Sequence, residues 1–171
     1  MSASPSSSSD ALVAETLAAL GLSAAAENAG VYAGGGRWLG SGELLTSSSP
    51  ASGRALATVR QGGAEDYDAC LAAMAGARRA WAETPAPARG EAIRQIGEAL
   101  RAKKAALGRL VSLEMGKIAS EGLGEVQEAI DVCDMAVGMS RTIAGGVLPS
   151  ERAGHTLLEC WHPIGGVGVI T

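Results

Sequence analysis

Val167-Gly168-Val169-Ile170-Thr171 is the stretch on which the fold class turns. It is a short apolar run rich in β-branched residues, entered through Gly165-Gly166. That pattern reads as a strand buried on both faces, and such strands belong to parallel sheets covered by helices. The run closes the 171-residue sequence. The expectation is therefore an α/β protein in which only the first strand of the main sheet is present.

Working backwards, Pro163 to Gly166 reads as a turn, and Thr156 to His162 as a strand. Before Pro149 lie three helical blocks. Tyr67, Leu71, Met74, Ala77 and Trp81 recur at helical spacing and predict an amphipathic helix to about Glu83, where Pro85 and Pro87 break it. Ile93, Ile96, Leu100, Leu107, Leu110, Val111 and Leu113 mark a second, with Gly108 as a kink or junction and Gly116 as its end. The third runs from Ser120 to about Ile143 on a stripe of Val126, Ile130, Cys133 and Val137.

Upstream, Glu43 to Thr46 and Arg54 to Arg60 predict an antiparallel hairpin around Pro50 and Gly53. The glycine-dense residues 28–42 read as an irregular connection anchored by Trp38. Asp10 reads as the cap of a short helix ending near Leu20 and Gly21. Ser2 to Ser9 reads as a disordered tail.

Composition narrows the function classes. Hydrophobic residues make up 47% of the chain but include no Phe, and alanine supplies much of the rest, so the expected core is thin. A net charge of −4 without a basic stripe argues against nucleic-acid and membrane-surface binding. The cysteines Cys70, Cys133 and Cys160 are odd in number and widely spaced, which suits a reducing compartment. Residues 1–36 contain no Lys or Arg but do contain Asp10, Glu15 and Glu27, unlike a transit or secretory segment, so the cytoplasm is expected.

Each suggestive constellation has a plainer reading. Ile164 to Gly168 precedes its strand, whereas dinucleotide-fingerprint glycines follow a strand and open a helix. On a strand, Cys160 and His162 share a side while His155 faces away, and two ligands do not make a zinc site. Cys70 and Cys133 read as core thiols, lacking a base or helix N-terminus to activate them. Glu121, Glu125 and Glu128 read first as a solvated helix face. A carboxylate there can also hold an ammonium group if the helix borders a cleft.

Beyond these local readings, Leu110-Val111-Ser112-Leu113-Glu114-Met115-Gly116-Lys117 resembles the aldehyde dehydrogenase superfamily. Glu121-Gly122, Gly124 to Glu128, Asp131, Cys133-Asp134, Pro149 to Arg152, Gly154-His155 and Gly168 to Thr171 are similar to its antiquitin branch, the α-aminoadipic semialdehyde dehydrogenases. So are Pro85 to Pro87, Arg89 to Glu91 and Arg94 to Gly97. The resemblance spans residues 12–171 and is weakest before Glu43.

The resemblance implies the N-terminal part of that fold: β-hairpin, helices, oligomerisation strands and the first strand of a Rossmann-like sheet. Residues 1–42 would be tail, short helix and glycine-rich connection, and 43–149 the hairpin and helical part of the NAD-binding domain. Residues 150–166 would supply oligomerisation strands, joining subunits into dimers and tetramers, and 167–171 the first Rossmann-like strand. By resemblance Ile170 and Thr171 border NAD, with Ile170 on the adenosine side, and Glu128 receives the amino group of the substrate. The nucleophilic cysteine and general-base glutamate would lie beyond the chain, which alone would be inactive. A truncated paralogue serving as an assembly module is the alternative, and a branch acting on betaine or succinate semialdehydes a further one. The unpartnered strand and stripe also predict a chain that aggregates or stays partly molten in isolation.

Overall fold

A computed structural model of the chain describes residues 5–170, the first four of them by backbone alone. Its elements run α1 (Pro5–Ala19), β1 (Glu27–Ala29), β2 (Val31–Tyr32), β3 (Trp38–Leu39), β4 (Leu44–Ser48), β5 (Ala55–Arg60), α2 (Ala64–Glu83), α3 (Ala86–Met115), α4 (Ala119–Thr142), β6 (Val147–Pro149) and β7 (Thr156–Leu158). The mixed α/β class holds.

The framework is the pair α3 and α4. Pro85 caps α3, and Pro87 falls in the first turn, where a missing N–H costs nothing. Gly116 ends the helix in the left-handed region at φ 72°, and its N–H returns to the Ser112 carbonyl. Gly108 is no junction between two helices: α3 is continuous across it. Instead Gly90, Gly97 and Gly108 are buried where α4 crosses. Their spacings of 7 and 11 residues keep all three on one face of a helix that turns about 100° per residue. A Cβ on Gly97 would stand 3.2 Å from the Cys133 Cβ, and one on Gly108 3.0 Å from the Leu123 Cα. Ile130, wholly buried, and Val126 fill the seam.

Helix α1 packs across α3, with Leu17 buried, the Lys103 ammonium 2.7 Å from the Ala19 carbonyl, and an ion pair between Arg109 and Glu15. It starts earlier than predicted. Ser6 to Ser9 wind into its first turns, so Asp10 lies inside the helix rather than capping it, and its carboxylate pairs with Arg54 at 2.5 Å. Ser2 to Ser4 of the predicted tail fall outside the described residues.

The hairpin β4–β5 forms as predicted, Leu45 opposite Val59 and Thr46 opposite Thr58. Residues 28–42 are more ordered than an irregular connection. Strand β1 adds to β5 in parallel, Asn28 opposite Val59, and β2 pairs antiparallel with β3. The Asn28 amide explains part of this order, since it bonds the Thr58 and Ser23 carbonyls and so ties the connection to the sheet. Trp38 does not anchor a core; it is 63% exposed and leans on the Tyr32 ring, centroids 5.0 Å apart.

The last part of the chain departs most from expectation. The strand predicted for Thr156 to His162 ends at Leu158, paired with β6. Val167 to Ile170 form no strand and are exposed. A strand is defined by its ladder partners, and among the described residues none runs beside this segment. The apolar face of α2 is likewise open: Tyr67, Leu71, Met74 and Trp81 are all more than 40% exposed.

Candidate substrate and cofactor site

Glu128 sits midway along α4, and helical spacing sets it opposite the buried Val126 and Ile130. It is exposed, and among the described residues no hydrogen bond or ion pair engages its carboxylate. Its neighbours are committed. Glu125 is held by Lys117, whose pKa is raised by that hydrogen bond. Asp131 accepts from the Gln127 amide at 2.7 Å, and Gln127 in turn accepts from Lys104 at 2.5 Å. Asp134 is paired with Arg101. Of the predicted acidic face of Glu121, Glu125 and Glu128, then, Glu125 is spent on an internal ion pair, while Glu121 and Glu128 have no hydrogen-bond or ion-pair partner among the described residues.

The other predicted site residues are not gathered around Glu128. Ile170 is fully exposed, and Thr171 lies outside the described residues. The turn before them is docked on α2, with Gly165 against Arg78 and Gly166 against Met74. These glycines neither follow a strand nor open a helix, so they present no ring of N–H groups to a pyrophosphate. By themselves the described residues do not fit a dinucleotide.

Three clefts lie along α2 and the chain's last stretch. The largest, of about 680 Å³, is walled by Trp81, Arg89, Ile93, Met139, Trp161 and His162, with Cys160 beside it. Two smaller ones, about 280 and 490 Å³, separate α2 from Pro163 to Gly168. Glu128 lines none of them. The clustering of Trp81 with Trp161 was not readable in sequence, because it depends on where the segment after β7 folds back. Cys160 and His162 do share the large cleft. Among the described residues, however, no group of three or more His, Cys, Asp or Glu side chains is placed to hold a metal ion.

The thiols fall into two settings. Cys133 packs against Gly97 in the α3–α4 seam and Cys70 is half-buried on α2, whereas Cys160 is exposed. Among the described residues no hydrogen bond joins any of the three to a base.

Asp66 is the most engaged carboxylate. It is buried at the start of α2 and accepts from the Gly63 N–H, the Ser41 N–H and the Ser41 hydroxyl, at 2.9, 2.7 and 2.7 Å. Those bonds, the Gly63 one foremost, hold its pKa below the ordinary carboxylate range. Its part is architectural, fastening the glycine-rich connection to a helix N-terminus.

Comparison with known proteins gives these positions a context. The model of the "Aldehyde dehydrogenase family" matches residues 38–171. The α-aminoadipic semialdehyde dehydrogenase of Bos taurus is 56% identical over 145 residues, which are 85% of this chain and 26% of that protein. An aldehyde dehydrogenase family 7 member A1 of Brassica napus is 53% identical over 159 residues, 92% of this chain and 32% of that one. Among solved structures, a 3,6-anhydro-L-galactose dehydrogenase in complex with NAP superposes with a TM-score of 0.65 at 28% identity, over 72% of this chain and 26% of that one. Lactaldehyde dehydrogenase from Escherichia coli superposes with a TM-score of 0.65 at 26% identity, over 71% of this chain and 25% of that one. The chain thus spans about a quarter to a third of the length of the curated relatives it matches. It belongs to the aldehyde dehydrogenase family.

Proposed function

We propose that this chain is the N-terminal part of an NAD-dependent enzyme that oxidises α-aminoadipic semialdehyde, or an aldehyde closely like it, to the carboxylate. The observation that carries this reading is the 56% identity to a protein named for that substrate, sustained over 85% of the chain. The uncommitted Glu128 carboxylate supports it. A cationic amino group entering a cleft needs an anionic partner, and a charge-assisted ammonium–carboxylate hydrogen bond is roughly twice as strong as a neutral one.

Residues 1–171 supply scaffold rather than chemistry. On this reading the nucleophilic cysteine and general-base glutamate, as the family resemblance implies, come from polypeptide outside these residues. NAD would serve as the hydride acceptor, with Ile170 and Thr171 at the margin of its site once that polypeptide is in place. The β6–β7 hairpin carries Val147, Leu148, Leu157 and Leu158, each more than half exposed. Such a hairpin is suited to joining subunits into a dimer or tetramer.

The test compares kcat/KM of the complete enzyme for α-aminoadipic semialdehyde with that for adipic semialdehyde, which lacks only the amino group. Glu128→Gln should lower the preference for the amino-bearing aldehyde by about 10- to 100-fold, the range a hydrogen bond to a charged group commands. A complete enzyme that favours betaine aldehyde or succinic semialdehyde would overturn the substrate assignment.

A further inference from the structure

The position of Glu128 is not secured by Glu128. Among the described residues no side chain holds its carboxylate, and it faces away from α3, so its place in the site is the place of α4 on α3. What sets that place is unusually hard. Most helix pairs meet through side chains that can change rotamer, but here backbone meets backbone. A Cβ on Gly108 would lie 2.9 Å from the Leu123 Cδ2 and 3.0 Å from both the Leu123 Cα and N. One on Gly122, across the seam, would fall 2.3 Å from the Gly108 carbonyl oxygen. At Gly108 the Leu123 side chain can turn aside but its backbone must give by a few tenths of an ångström, and at Gly122 the backbone oxygen itself must move, so an added methyl shifts the helix. Glu128 lies five residues from Leu123, about 7–8 Å along the axis at the α-helical rise, and must move with it. The flanking pairs Lys117–Glu125 and Arg101–Asp134 are partly exposed and long-armed, and they yield rather than resist.

We propose that Gly108, seconded by Gly97, is a positioning residue for the ammonium-binding carboxylate: the close approach of α4 to α3 at these glycines sets where Glu128 stands and thereby the preference for amino-bearing aldehydes. This rests on the reading of Glu128 given above. Gly138 is the built-in control, because it lies on α4 with Glu128 and has no heavy atom within 4 Å of where its Cβ would be.

The experiment measures, on the complete enzyme, the ratio of kcat/KM for α-aminoadipic semialdehyde to that for adipic semialdehyde. Gly108→Ala should lower the ratio severalfold through KM for the amino-bearing substrate, since displacements of about 1 Å cost up to about a hundredfold in positioned sites and this one is a few tenths of an ångström. Gly138→Ala should leave the ratio unchanged. A Gly108→Ala enzyme that loses both activities equally, or keeps its ratio, overturns the proposal. Should that variant fail to fold, Gly97→Ala asks Cys133 to give by only a few tenths of an ångström and serves in its place. A severalfold drop in its ratio supports the proposal and no change overturns it. If Glu128→Gln collapses the ratio while the glycine variants leave it intact, only the positioning role falls. If Glu128→Gln itself leaves the ratio intact, the substrate-binding role of Glu128 falls and this inference with it.

Discussion

The α3–α4 pair and the region formed by α2, the β6–β7 hairpin and residues 163–170 are built from similar residues and behave oppositely. The first closes on itself: Ile130 is fully buried, Val126 nearly so, and glycines let the backbones touch. The second keeps its large apolar groups outward, with Trp161 69% exposed, Ile164 84% and Val169 80%. Hydrophobicity alone therefore does not decide burial here. Small residues at the right period decide it, because they permit a close approach that alanine-rich helices could not otherwise turn into dispersion contact.

The widest contrast should appear in amide hydrogen exchange of the 1–171 chain. Amides in the middle of α3 and α4 should exchange orders of magnitude more slowly than those of β6, β7 and residues 163–170, which have little protection to lose. Uniformly fast exchange would erase the distinction. Next in size, Ile130→Ala should cost about 2–5 kcal/mol in urea unfolding, since it empties a fully enclosed site, whereas Leu158→Ala should stay within about 0.5 kcal/mol. Smaller again, Gly122→Ala should destabilise by about 1–3 kcal/mol through overpacking, and Gly138→Ala should stabilise by about 0.5–1 kcal/mol through helix propensity. Opposite signs for one substitution on one helix would be hard to explain by anything but the seam.

The pH dependence sharpens the comparison from a third site. Asp66 has a folded pKa below its ordinary value of 3.8, so its contribution is complete above about pH 4 and is lost as pH falls through the folded value. Glu91, drawn down to about 2 chiefly by its hydrogen bond from Arg94, acts in the same direction and over the same acid range, but on an exposed face. Asp66→Asn should lower the unfolding midpoint at neutral pH and flatten its acid-side decline, while Glu91→Gln should change both far less. A chain whose acid sensitivity survives Asp66→Asn would place the titrating group elsewhere.

The α/β class and the hairpin at β4–β5 were legible in sequence, as were α2 ending at Glu83 and the stop of α3 at Gly116. Each rests on local chemistry: turn residues, proline geometry, or a left-handed cap. What local chemistry cannot supply was misread. Gly108 reads as a kink or junction when taken alone; its spacing from Gly90 and Gly97 was the available signal for a shared face. Val167 to Ile170 have strand propensity but no neighbour to pair with, and propensity without a partner makes no ladder. Tyr67, Leu71, Met74 and Trp81 have the period of a buried face, yet periodicity says which side is apolar and not what lies against it. In the site, the availability of Glu128 was visible only as one acid among several. That Glu125 and Asp131 are already engaged depends on Lys117 and Gln127 meeting them in space.

The glycine spacing of α3 also bears on which length changes the chain can absorb. From Gly90 to Gly108 is 18 residues, about five whole turns. Adding or deleting a single residue between them would swing Gly108 about 100° around the axis and drive Leu107 or Arg109 into α4. The turns at Gly34 to Gly36 and Glu151 to Gly154 have no such constraint, and inserted residues there would simply loop into solvent. Natural variation in this segment should therefore lengthen its turns freely and leave α3 a fixed number of residues long.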